Sequence, residues 1–146
     1  MLERYGGRVS SQWLLPKTLQ LLEEALEAYR ECGLILEMVD WLSLQLTGRL
    51  RRNRCCAGFK SFWTPGRGYP PSDFFTGLDE RLADLLPEKL RGETVPPWET
   101  VGGLTPDWAR RLGLTTHTQV SAGIIAAHAG VLGSGVTEVD RLVMIR

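Results

Sequence analysis

The sequence predicts an α/β fold, and three observations carry that expectation. Residues 16–32 and 35–47 each repeat apolar side chains at helical spacing, and two amphipathic helices joined by a short turn imply a helical layer packed on something else. Residues 119–125 are small and apolar, as in a strand buried on both faces, and residues 126–132 read as a helix starting at that strand's C-terminal end. Residues 141–146 (Arg-Leu-Val-Met-Ile-Arg) read as a further strand, so strand, turn, helix and strand follow one another.

The elements follow in order. In the first helix Leu15, Leu19, Leu22, Leu26 and Tyr29 share a face, while Lys17, Glu23, Glu24, Glu27 and Arg30 lie elsewhere on the cylinder. Pro16 suits its first turn, having no amide proton to leave unpaired, and Gly33 stands where a left-handed cap is cheapest. The second helix carries Ile35, Val39, Leu42 and Leu46 as its buried stripe and stops at Gly48. Residues 49–54 form a basic run. Residues 55–63, small and aromatic without helical spacing, read as a short strand or extended segment. Residues 64–71 (Thr-Pro-Gly-Arg-Gly-Tyr-Pro-Pro) break both kinds of backbone ladder. Ser72 then caps a short helix with Phe74 and Phe75, residues 78–90 look helical in pieces, and residues 93–103 read as a second loop. Thr105-Pro106-Asp107 opens another helix, to about Leu112. No internal repeat or low-complexity tract occurs. The chain opens in a polar turn and closes within an apparent buried strand, so it is expected to be a piece of something larger.

Composition narrows the function classes. The chain has 146 residues, a length that fits one domain, and 17 basic side chains balance 17 acidic ones. A formal net charge of zero removes the electrostatic footprint of sequence-independent nucleic-acid binding. No apolar run approaches the ~20 residues needed to span a bilayer, and Met1-Leu2-Glu3-Arg4 does not open a signal peptide. Three cysteines (Cys32, Cys55, Cys56) are too few and too odd in number for a disulfide framework, so a cytoplasmic address without a membrane is expected.

Few residues carry obvious chemistry. No Cys-x-x-Cys or His-Glu-x-x-His spacing marks a metal site, and Gly133-Ser134-Gly135 is a turn rather than part of a phosphate-cradling loop. Cys55-Cys56 reads as two small residues in an extended segment rather than a redox couple. Ser121, His128 and Asp140 could be assembled into a triad only without a nucleophile elbow around the serine. Arg49, Arg51, Arg52 and Arg54 read as a solvated turn after a helix, with phosphate gripping as the rival. His128, in Ala126-Ala127-His128-Ala129-Gly130, reads as a satisfied interior histidine. Lys60, between Phe59 and Phe62-Trp63, either snorkels from an apolar wall or aims at a polar ligand.

The ordered string of motifs resembles the FGGY carbohydrate kinases. Tyr5-Gly6-Gly7-Arg8-Val9-Ser10-Ser11 with Pro16-Lys17 is similar to the family's segment before a helix, and Val39-Asp40-Trp41-Leu42 through Leu46-Thr47-Gly48 to its "Leu-Thr-Gly" helix. Cys55-Cys56-Ala57-Gly58-Phe59-Lys60, with Trp63 and Gly68-Tyr69-Pro70, resembles the family's Cys-Thr-Ala-Gly-Tyr-Lys stretch and the loop after it. Gly102-Gly103-Leu104-Thr105, Leu112-Gly113-Leu114 and residues 123–130 continue the match, the last at the turn the family writes Asp-Ala-His. Gly135-Val136-Thr137-Glu138 and Leu142-Val143-Met144-Ile145 resemble the strand that precedes the family's Gly-Thr-Ser-Thr segment. Each motif is weak and their collinearity is strong.

The resemblance implies an incomplete actin-like, RNase H-like domain with a helical layer and short strands. Residues 1–146 would be part of the N-terminal, sugar-side domain, without its first phosphate-binding strands and without the C-terminal nucleotide domain. It implies phosphoryl transfer from ATP, with Mg2+, to a terminal hydroxyl of a small sugar, a ketopentose with L-ribulose foremost, as in L-arabinose catabolism. The neutral total charge leaves no nucleic-acid partner expected, and the resemblance implies full-length members that can oligomerise. Carried over by position, Lys60 would contact sugar hydroxyls, and the family's general-base aspartate would fall at Ala126. A methyl group accepts no proton, so the chain alone is expected to be inactive. Gln12 stands where the family commonly has glutamate. The rival expectation is a non-catalytic sugar- or partner-binding remnant.

Overall fold

The structure, a computed structural model, describes residues 2–138. The strand expected over residues 141–146 and the Asp140 position lie outside that range.

A 3-10 turn at Leu2–Tyr5 leads to α1 (Leu14–Glu24) and α2 (Leu26–Glu31), followed by α3 (Met38–Thr47). Then come β1 (Arg51–Asn53), α4 (Arg54–Lys60) and α5 (Ser72–Leu78), with further single turns at Glu80–Leu82 and Leu85–Lys89. The chain continues through β2 (Glu93–Val95), β3 (Thr100–Gly103), α6 (Pro106–Leu112), β4 (Gln119–Ser121) and α7 (Ala126–Gly133). β1 and β2 pair in parallel, with Arg52 opposite Thr94. β3 and β4 pair antiparallel, with Gly102 opposite Val120. The main core gathers Leu14, Leu15, Leu22 and Tyr29 from the first two helices against Phe62, Phe75, Leu82, Leu85 and Leu90. A smaller one joins Val95, Val101 and Ala122. The α/β class therefore holds, with helices dominating and strands of only three or four residues.

Local signals were reliable where one residue decides. Gly48 ends α3 at φ +69°, Thr105 caps α6 by accepting from the Trp108 amide, and α7 begins at Ala126. Pro16 does sit in the first turn of α1. Residues 78–90 are helical in short pieces.

Elsewhere the structure corrects the sequence. The first helix is broken at Ala25 (φ −144°, ψ 59°), after which Tyr29 enters the core and its hydroxyl donates to Asp84 at 2.7 Å. α2 ends at an extended Cys32, and Gly33 supplies no left-handed cap. Residues 35–37 precede α3 rather than belonging to it. The buried stripe of α3 is Asp40, Ser43 and Thr47, not Ile35, Val39, Leu42 and Leu46. Ser43 donates to the Asp40 carbonyl and Thr47 to the Ser43 carbonyl, so these small side chains arrive satisfied and let the strands approach closely.

The basic run is no solvated turn. It contains β1, and Arg52 is only 1% exposed. Its guanidinium donates to the carbonyls of Ile35, Lys89 and Arg91 at 2.8–3.0 Å, which a planar five-donor group can do and a lysine cannot. Residues 54–60 form α4 instead of an extended segment, because Asn53 caps them. Ser72 is the first residue of α5, and Pro71 occupies the cap without a side-chain bond. The supposed loop over residues 93–103 contains β2 and β3. β4 is three residues long and partly exposed, so it is not a strand covered on both faces.

Candidate functional site

Asn53 is the joint around which the site is built. Its backbone amide donates to Asp40 Oδ1 at 2.6 Å, and its Oδ1 accepts from the Cys56 amide at 2.8 Å, opening α4. Its Nδ2 donates to the carbonyl of Ala122 at 2.8 Å and to that of Gly123. One buried residue thus ties α3, through its backbone amide, to the start of α4 and the turn between β4 and α7, through its side chain. Gly123 adopts φ +76°, and an added Cβ there would lie 2.6 Å from Val39 Cγ2, so only glycine lets α3 pass this close. Asp40, buried beside this joint, has its carboxyl pushed up to about 6 by burial, against the pull of the Asn53 amide and of Arg52.

Lys60 ends α4. Its ammonium meets Glu37 Oε2 at 2.9 Å, with the lysine side chain 30% exposed. Burial opposes its charge, but the Glu37 hydrogen bond and charge outweigh that, and the ammonium titrates above its ordinary value. Glu37 lines a cavity of about 350 Å³ together with Gln12, Lys17 and Thr18. Glu37, the partner of Lys60, therefore shares a cavity lining with Gln12, and sequence reasoning had not singled it out.

A second cavity, of about 600 Å³, is lined by Arg54, Cys55, Gly58 and Phe59 of α4. Tyr5, Trp13, Phe59 and Trp63 form its aromatic walls, with Arg54, Cys55 and His128 beside them. Cys55 Sγ stands 2.8 Å from His128 Nδ1, and the imidazole meets the Phe59 ring edge-on at 5.2 Å between centroids. Cys55 and Phe59, one helical turn apart on α4, both meet His128 of α7. His128 is therefore a partly exposed member of a pair rather than an interior histidine. Cys56, its neighbour, is buried, and burial pushes its thiol up to about 12.

The two candidates carried from the sequence sit on adjoining helices without sharing a cavity. Lys60 is directed at Glu37, and Ala126 is exposed at the first turn of α7, two residues before His128. Ser121 is exposed on β4. No group of three or more potential metal ligands occurs among the described residues. Glu37, Asn53 and the Cys55–His128 pair escaped sequence reasoning. The available signal was an asparagine three residues before Cys56, the spacing of a helix cap, which would have placed Cys55 and Phe59 on one face.

No family model matches the chain. A ribulokinase of Halalkalibacterium halodurans is 44% identical over 143 residues, 98% of this chain and 25% of that protein. A ribulokinase of Geobacillus thermodenitrificans is 46% identical over the same shares. The chain thus spans about a quarter of the length of the curated relatives it matches. Among solved structures, ligand-bound xylulose kinase from Lactobacillus acidophilus superposes with a TM-score of 0.68 at 16% identity, over 86% of this chain and 24% of that one. A carbohydrate kinase from Novosphingobium aromaticivorans gives 0.59 at 23% identity, over 81% and 24%. In sequence the chain resembles a quarter of ribulokinase along nearly all its own length, and in fold it resembles part of these sugar kinases.

Proposed function

We propose that this chain is the sugar-side portion of a ribulokinase-like carbohydrate kinase, with L-ribulose or a related ketopentose as its sugar. The observation that carries the reading is the collinear match at 44–46% identity over 98% of the chain. The pairing of Lys60 with Glu37, which lines a cavity together with Gln12, supports it from the geometry. An ammonium paired with one carboxylate keeps two of its three donors for other acceptors, and vicinal hydroxyls are suitable ones. In this reading Lys60 orients the sugar, and Glu37 holds the lysine and accepts from a hydroxyl.

Phosphoryl transfer also needs a group that takes the hydroxyl's proton as the bond to phosphorus forms. Ala126 cannot serve. A positioned base contributes about 10²–10⁴ in rate, or roughly 3–5 kcal/mol of barrier. Mg2+ would be held mainly through the phosphates of ATP with one or two carboxylates, and no group of three or more potential metal ligands occurs among the described residues to hold it alone. The roles assignable to this chain are those on the sugar side, and the 146-residue chain should release no ADP from ATP in the presence of L-ribulose.

The Lys60–Glu37 pair, in a chain with an alanine at the base position, favours a second reading, sugar binding without turnover. Calorimetry with L-ribulose separates the two. Saturable heat that disappears in Lys60→Ala supports a binding remnant, and silence supports a portion that binds only within a longer kinase. Pentulose-dependent ADP release from the chain would overturn both.

A further inference from the structure

The Cys55–His128 pair takes no part in the sugar reading. It lines the cavity of about 600 Å³, whereas Lys60 turns to Glu37 and away from it. Three thiols are available for comparison. Cys32 donates to the Tyr29 carbonyl at 3.1 Å and has no imidazole. Cys56 is 4% exposed, and its thiolate is disfavoured by burial and by the charges of Glu37 and Asp40. Cys55 alone combines partial exposure, an imidazole at 2.8 Å and an open cavity.

Two further features of the cavity describe what would fill it. Its walls are the faces and edges of Tyr5, Trp13, Phe59 and Trp63, which receive a flat apolar body. Arg54, beside Cys55 and stacked over Trp63 at 5.2 Å, donates through Nη2 to the Thr94 carbonyl but leaves Nε buried with no hydrogen-bond partner. Arg54 also lines the cavity, where a guanidinium N–H suits the carbonyl of a ligand.

We infer that Cys55, with His128 as its base, is a thiol modification site for flat activated alkenes, the α,β-unsaturated carbonyl class. In the tautomer with the imidazole proton on Nε2, the Cys55 thiol donates to Nδ1. The thiol proton passes to Nδ1, and the sulfur lone pair forms the S–C bond at the β-carbon. The alkene π pair moves to the α-carbon and carbonyl as an enolate. The imidazolium returns a proton to the α-carbon, so the reaction is an addition with no leaving group, oxidant or reductant.

The test is competitive labelling of the full chain by limiting N-phenylmaleimide and, separately, N-methylmaleimide, with peptide mapping of the three cysteines. Cys55 should label before Cys32, and the phenyl reagent should be favoured over the methyl one at Cys55 more than at Cys32. His128→Ala should slow Cys55 by up to about 10²-fold, the scale of a positioned base, and leave Cys32 unchanged. Equal rates at Cys55 and Cys32, or no phenyl preference, would overturn the inference, as would a Cys55 rate indifferent to His128→Ala. Cys56 reports folding: if the variant exposes it to label, the wild-type pH profile decides. A Cys55 rate that tracks an imidazole titration supports the inference, and one that rises only as a free thiol ionises overturns it.

Discussion

Replacing Asn53 by alanine should loosen the region on which the site is mounted, and the size of the effect follows from its three side-chain bonds. Loss of the bond from the Cys56 amide removes the α4 cap, worth about 1 kcal/mol. The Ala122 carbonyl belongs to a residue 2% exposed, so water does not readily replace Nδ2, and an orphaned buried acceptor costs about 1–3 kcal/mol. Gly123 is partly exposed, and its carbonyl recovers a water at little cost. The sum is about 2–4 kcal/mol, which lowers a urea midpoint by about 1–2 M for a chain of this size. Urea titration followed by far-UV circular dichroism reads it. Asn53→Ser keeps a capping oxygen and loses the donor to Ala122, so it should recover only the cap, about 1 kcal/mol. A change under about 0.5 kcal/mol for Asn53→Ala, within the range of an ordinary surface substitution, would refute the reasoning. A serine variant as stable as the wild type would refute the part assigned to Ala122.

Two further predictions concern the same junction. Asp40 titrates at about 6 in the fold against an ordinary 3.8, so the folded state holds a proton that the unfolded state has released between those values. Its contribution is therefore fully present below about pH 4 and is lost as pH rises to about 6, by an order of ~3 kcal/mol. Asp40→Asn should flatten that slope, and parallel stability profiles for the two proteins from pH 4 to 6.5 would disprove it. Gly123→Ala should cost more than the ~1–2 kcal/mol of a left-handed backbone alone, because its Cβ would strike Val39. Val39→Ala in the same chain should return part of that cost, and a strictly additive double variant would show that the close approach is not the cause.

What the sequence determined by itself was whatever one residue and its near neighbours decide, together with the collinear motif order. The stop of α3 at Gly48 and the Thr105 cap depend on single-residue preferences, and those are visible without a fold. The likeness to sugar kinases was visible for a different reason: many weak motifs in one order form a strong pattern, and the match to ribulokinases runs along nearly the whole chain.

Tertiary structure decided the rest, because the partners are distant in the chain. Arg52 reads as a surface cation until the carbonyls of Ile35, Lys89 and Arg91 surround it. Residues 54–60 look extended until Asn53, held by Asp40 and Ala122, caps them into a helix. Lys60 stays ambiguous between snorkelling and ligand contact until Glu37, 23 residues away, is brought to its ammonium. Cys55 and His128 are 73 residues apart, and only the packing of α4 against α7 makes them a pair. Hydrogen bonds and ion pairs require contact within a few ångströms, and spacing along the chain predicts that contact only inside one element.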